Sequence, residues 1–180
     1  LQFNCEPKTW ASLCKLAPKV VLPSQERITA ELQKILEEKQ AWISLKALED
    51  CGMIDRLLPG FKGLKTLDKE QFFKLTMDQR WASLIQNSDQ KNAFQFLRLS
   101  KKKMLWINKL IQYKLDPVKA AFEVGDIQIS SSQLIEFGFE GKSLGKLQQE
   151  LKEQIVCGSL ANSSEQIVAY IKSKYLNLET

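Results

Sequence analysis

The chain has 180 residues, 44% of them hydrophobic and 26% charged, with 26 Lys/Arg against 21 Asp/Glu, four cysteines and no histidine. This balance excludes a disordered, collagen-like or coiled-coil chain and leaves one larger domain or two to three small ones. Without histidine there is no Ser-His-Asp triad, no Cys-His dyad and no zinc site with a His ligand. The apolar runs fall far short of the roughly 20 residues that span a bilayer.

In chain order, Pro7 opens a helix that runs through Ala17 and is stopped by Pro18. Ser24 is the expected N-cap of the next helix, with Arg27 at its third position, so no capping box forms. Ile28, Leu32, Ile35 and Leu36 recur at i, i+4, i+7 and i+8 and predict one buried stripe. Residues 41–50 read as a third helix, stopped by Cys51-Gly52. Pro59-Gly60 and Gly63 make the first candidate boundary. Helices are expected near 68–75, 77–87, 90–98 and 100–114, and Asp116-Pro117 begins a short one. Gly125-Asp126 is a second break.

Beyond it, Ser130-Ser131-Ser132 caps a helix ending at Gly138. Leu144, Leu147, Leu151 and Ile155 mark a long amphipathic helix closed by Gly158. Asn162-Ser163-Ser164 caps a last one with the stripe Ile167, Ile171 and Tyr175. Nothing alternates long enough to be a strand. The fold class is therefore all-α, in three small consecutive modules over residues 1–60, 61–125 and 126–180. Trp10, Trp42, Trp81 and Trp106 lie on apolar stripes and read as core. The irregularly spaced Cys5, Cys14, Cys51 and Cys157 read as reduced, mostly buried thiols of a cytoplasmic protein.

Charge is unevenly distributed: the three segments carry net 0, +7 and −2. The densest basic run is Lys101-Lys102-Lys103, flanked by Arg98 and Lys109, with Trp106 behind it. A phosphate backbone would select such a surface. The competing reading is a helical protein–protein module with a solvated basic face. Lys142 and Lys146, among Gly138, Gly141 and Gly145 at a helix start, could hold one further phosphate. Catalytic patterns fail. Asp68-Lys69-Glu70 is the one acid-x-acid pair, it lies on an expected helix, and adjacent helical positions diverge. Gly141-Lys142-Ser143 is no P-loop, because Glu136 stands where the first glycine belongs. No catalytic residue, metal ligand or cofactor site is assigned in this chain.

Several segments together carry a resemblance. Ser24-Gln25-Glu26-Arg27-Ile28, then Glu31-Leu32 and Lys34-Ile35-Leu36, is similar to the S-x-E-R-I-x-x-E-L-x-K-I-L stretch of class II tRNA nucleotidyltransferases (CCA-adding enzymes) and bacterial poly(A) polymerases. Leu1-Gln2-Phe3 with Glu6-Pro7-Lys8-Thr9-Trp10 resembles the segment that precedes it there. Gly52-Met53-Ile54 with Leu58-Pro59-Gly60 resembles the segment that ends it. Arg80-Trp81-Ala82, Phe96-Leu97-Arg98 and the lysine-rich helix look like the family's body, and Gly158-Ser159-Leu160-Ala161-Asn162 like its tail. Ser131 stands where the family usually has Gly, and Gln133 where it has an acid.

The resemblance implies the neck, body and tail of such an enzyme, cut from its N-terminal side and inactive alone. The catalytic head, with its Mg²⁺ and CTP/ATP, would lie upstream, as would the element that separates CCA addition from A-adding and poly(A) enzymes. It implies tRNA as partner, together with the missing head. It also implies a structural role for Glu26, Arg27, Glu31 and Lys34, bracing the neck.

Overall fold

A computed structural model describes residues 5–176, so Leu1-Gln2-Phe3 lies outside the described residues. Those residues form twelve α-helices with short 3-10 turns and no strand, and the chain is all-α. It divides into two compact units, Leu1–Asp116 and Pro117–Thr180.

The first unit holds α1 (Pro7–Leu16), α2 (Gln25–Glu37), α3 (Ala41–Asp50), α4 (Ile54–Leu57), α5 (Lys69–Lys74), α6 (Met77–Gln86), α7 (Gln90–Phe96) and α8 (Lys101–Gln112). Six of these starts are fixed by a side chain that accepts a first-turn amide: Glu6, Ser24, Asp68, Thr76, Asp89 and Ser100. Asp68, the first acid of the acid-x-acid pair, is thus spent on capping α5. Helix α2 buries Ile28, Thr29, Leu32 and Leu36 and packs on α3 and α6, while Ile35 stays half-buried. The core gathers Leu36, Leu45, Leu58, Phe72, Trp81 and Ile107.

Of the four tryptophans, Trp81 alone is fully buried. Trp42 is half-buried, edge-on to Phe72 at 5.5 Å. Trp10 and Trp106 are also half-buried, which corrects their expected core placement. Helix α1 buries no residue, and α8 is anchored through Ile107 and Leu110. At 3.6 residues per turn that anchoring leaves Trp106 on the flank and turns Leu105 to the far side, where it is 66% exposed. The cysteines are free thiols, but only Cys51 is buried, and Cys5 and Cys157 are exposed.

Two arginines stitch this unit together. Arg80 donates through Nη1 to the carbonyls of Leu36 (2.6 Å) and Glu38 (3.4 Å) and through Nη2 to that of Phe73 (3.3 Å), and lies over the Phe72 ring. Its Nε is buried without a partner among the described residues. Arg56 donates to the carbonyls of Ala17 (2.7 Å) and Val20 (2.8 Å), fixing the 3-10 turn Ala17–Lys19 that follows α1. The Pro59-Gly60 turn lies inside this unit. The Asp89 amide donates to the Pro59 carbonyl, and the Lys62 amide to that of Asn87. Gly60 has φ +70°, and a Cβ there would come within 3.2 Å of Asp89, so both space and backbone favour glycine.

The second unit holds α9 (Pro117–Ala121), α10 (Ser131–Glu136), α11 (Gly141–Cys157) and α12 (Ser164–Ile171), with a 3-10 turn at Val124–Asp126 where Gly125-Asp126 predicts a break. Ile127, Leu134, Leu147, Leu151, Leu160, Ile167 and Ile171 form its core. Gly158 ends α11 in the left-handed conformation, φ +80°. Asn162 accepts from the Gln128 amide and donates to the Asp126 carbonyl, both at 2.9 Å. The Glu150 carboxylate takes hydrogen bonds from Tyr170 (2.6 Å), Tyr175 (2.7 Å) and Lys174 (2.9 Å).

Burial pushes the Glu150 carboxyl up, but the hydrogen bonds from Tyr170, Lys174 and Tyr175 outweigh it and hold the group below its ordinary value of 4.5. A depressed folded-state value contributes stability that is fully present above that ordinary value and is lost as pH falls through the lowered one. The stability difference between the native chain and Glu150→Gln, measured by denaturation at a series of pH values, should therefore shrink as pH drops below about 4.5. A difference that stays constant down to strongly acid pH counts against this role.

Candidate nucleic-acid interface

The structure divides the predicted basic cluster into engaged and free cations. Arg98 sits between α7 and α8 and faces the start of α2. Its amide donates to Thr29 Oγ1 (3.2 Å), its Nε donates to Gln25 Oε1 (2.9 Å), and Nε lies 3.7 Å from Glu26 Oε1. Glu26 of the motif on α2 and Arg98 of the cluster are therefore neighbours. Lys103 bends back into the unit. Its Nζ lies 3.4 Å from Gln33 Oε1, 3.7 Å from Asp78 Oδ1 and 5.8 Å from the centre of the Trp81 ring. Its side chain is only 20% exposed. Arg98 links α2 to the segment between α7 and α8, and Lys103 links α2 to α6 and α8.

Lys101 and Lys102 are different. They occupy the first two positions of α8, are exposed, and pair with no acidic group among the described residues. Three lysines in a first turn oppose the partial positive charge of a helix N-terminus, and a phosphate there would relieve that repulsion. Lys109 is half-buried in the last turn of α8, where a cation suits the dipole.

Lys142 and Lys146 are exposed on α11 of the second unit. The residue at its N-cap is Glu140, so an acid stands beside the expected phosphate position. Ser143 Oγ accepts from the Glu140 amide at 3.0 Å. On α2, Lys34 pairs with Glu31 at 2.9 Å in an exposed i, i+3 pair of the kind that contributes at most about 1 kcal/mol. Arg27 and Glu31 rim a small groove of about 220 Å³ floored by Leu22, Ile28, Leu32, Ile35 and Met53. A larger apolar cleft of about 580 Å³ runs between α1 and α3, lined by Leu13, Leu16, Val20, Leu48 and Met53.

The structure also shows basic residues outside the predicted set. Lys62 and Lys65, with Lys46, line a cleft of about 400 Å³ beside Gly63. Lys46 is held there by Glu49 (3.0 Å) and Asp50 (2.8 Å), and Glu49 accepts the Leu64 amide at 2.7 Å. Lys8, Lys15 and Lys19 are exposed along α1 and the turn after it, and their helical spacing was the one sequence signal available. Among the described residues no group of three or more Cys, Asp or Glu could hold a metal ion, and no helix is long and apolar enough to cross a membrane.

Arg98, Lys101, Lys102 and Lys103 thus put a basic helical surface beside the motif-bearing helix α2. Residues 2–64 match a family model described as "Probable RNA and SrmB- binding site of polymerase A". The match supports the poly(A) polymerase family and RNA as a partner, and it covers the segment that carries α1 to α4. No curated protein and no solved structure matches the chain.

The division of the cluster has a direct consequence for stability. Lys103→Ala should cost about 1 kcal/mol through loss of its ring contact and ion pair. Lys102→Ala should stay within about 0.5 kcal/mol of the native chain. Chemical denaturation of both variants checks this, and equal midpoints would mean that Lys103 is as free as its neighbours.

Proposed function

We propose that the chain is the RNA-binding part of a tRNA nucleotidyltransferase of the CCA-adding type, presenting the tRNA acceptor arm and elbow to a separate catalytic head. The observation that carries this reading is the match of residues 2–64 to an RNA-binding segment, joined by Arg98 and Glu26 to the helix whose first turn holds the unpaired Lys101 and Lys102. A duplex arm offers regularly placed phosphates, and lysine contacts to them fix position while carrying little sequence information. In this reading Glu26, Arg27, Glu31 and Lys34 brace α2 against that head, and Glu26 also lies beside Arg98. Lys142 and Lys146 contribute a smaller share. In this reading Mg²⁺ and CTP or ATP act in the head, and the present chain does no nucleotidyl transfer.

A second reading has a specific observation in its favour, because the matched model is named for polymerase A. The same surface would then hold the 3′ region of a polyadenylated RNA.

Titrating the full chain with a tRNA transcript and with an oligoadenylate, each over a salt series, separates these. The tRNA should bind more tightly, and Lys101→Ala/Lys102→Ala should weaken it and flatten the log–log salt slope by about 1–2 units. Tighter oligoadenylate binding would favour the poly(A) reading. Absence of any RNA binding by the folded chain would overturn both.

A further inference from the structure

The predicted RNA-binding lysines lie at residues 98–109 and 142–146, wholly outside the segment that matches the RNA-binding model, residues 2–64. RNA contacts within that segment must come from other residues. Its charge is not spread evenly. Residues 21–64 hold six basic and seven acidic side chains, whereas residues 5–20 hold Lys8, Lys15 and Lys19 against the single acid Glu6. Arg56, Lys34 and Lys46 are already engaged, with the carbonyls of Ala17 and Val20, with Glu31, and with Glu49 and Asp50. Lys8, Lys15 and Lys19 are exposed and paired with no acid among the described residues.

Their spacing is i, i+7 and i+11, with Ser12 at i+4, so at 100° per residue Lys8, Ser12 and Lys15 fall within one narrow face of α1, and Lys19 extends the basic run onto the 3-10 turn that follows. Lys8 and Lys15 are separated by about 10 Å of rise along the axis. Glu6 does not neutralise the face, because its carboxylate is committed to the helix start. It accepts from the Thr9 amide at 2.8 Å and the Thr9 hydroxyl at 3.0 Å. The face is held in place from behind. Ala17 is buried, and Arg56 grips the carbonyls of Ala17 and Val20, so Lys19 stands on a fixed turn and the C-terminal end of α1 is anchored beside it.

We propose that the Lys8–Lys15–Lys19 face of α1 is a phosphate-backbone contact of the RNA, separate from the Lys101–Lys102 contact on α8. This rests on the RNA-binding reading above. Each lysine supplies one compact charge to one phosphate and releases condensed counterions on binding, so the face adds affinity without base selectivity.

The test uses the full chain, a fluorescent tRNA transcript, and vesicles of anionic phosphatidylglycerol. Lys8→Ala/Lys15→Ala/Lys19→Ala should keep its helical circular dichroism, bind the tRNA more weakly, and flatten the salt slope by about 2–3 units relative to the native chain. Replacing the same three positions by Arg should restore the slope. The proposal is overturned if the Ala variant binds tRNA with unchanged affinity and slope while Lys101→Ala/Lys102→Ala weakens it. That result leaves the RNA-binding function standing and makes the α1 face a solvated surface. It is overturned also if the three lysines govern binding to the vesicles and not to tRNA, which would mark a membrane-surface helix. If the native chain binds no RNA at all, the underlying reading falls with it.

Discussion

The guanidinium of Arg80 reaches three carbonyl oxygens at once, those of Leu36 and Glu38 at the end of α2 and that of Phe73 near the end of α5, while its plane lies over Phe72. Helix ends leave carbonyls without intrahelical partners, and here one charged fork from α6 satisfies two such ends together. Trp81 follows it directly and fills the core. The position of α2 relative to α5 and α6 thus depends on Arg80, and so does everything α2 carries. That includes Thr29 and Gln25, which receive Arg98, and Gln33, which receives Lys103. Hydrogen bonds from a charged donor contribute more than neutral ones, and losing this donor takes the side-chain partner from the Leu36 and Phe73 carbonyls together, while that of Glu38 keeps the Ala41 amide.

With α2 fixed, the cations of the first unit fall into two groups by what they touch. Arg56, Arg80, Arg98 and Lys103 are turned inward or along the surface onto carbonyls, side-chain oxygens and rings. Lys101 and Lys102, and the lysines of α1, are left to solvent. Such a division suits a scaffold for a polyanion. Planar, bidentate arginine hydrogen-bonds rigid elements together, and flexible, strongly hydrated lysine meets phosphates whose exact positions vary. The second unit repeats the scheme in smaller form, with Glu150 gathering two half-buried tyrosines and the exposed Lys174 while Lys142 and Lys146 on α11 have no such partner among the described residues.

Helix positions were legible because caps and apolar periods are local. Ser24, Ser100, Ser130 and Ser163 cap the helices that their sequences mark, and Ala41–Asp50 ends where Cys51-Gly52 stops it. Burial on the correct side of a helix was less legible, as Leu105 and Trp106 show. The apolar stripe marks Trp106 as core, but which face of α8 is covered depends on partners far away in sequence. The basic cluster was visible as a run, yet a run does not reveal that Arg98 will meet Gln25 across 73 positions or that Lys103 will lie over Trp81. The Pro59-Gly60 turn is plain in the sequence, whereas its pairing with Asn87 and Asp89 is not. Long-range polar contacts leave no periodic trace, so the carriers of charge were nameable and their division into engaged and free was not.

The most direct test of this division is made at Arg80, with stability and RNA binding measured on the same variant. Arg80→Gln should lower the denaturation free energy by about 2–4 kcal/mol, since two or more charge-assisted hydrogen bonds are lost. Measured where the variant remains folded, the salt slope of its tRNA binding should equal that of the native chain, because Arg80 faces carbonyls and not phosphates. A variant as stable as the native chain, or one that stays folded with a flattened salt slope, would contradict the account.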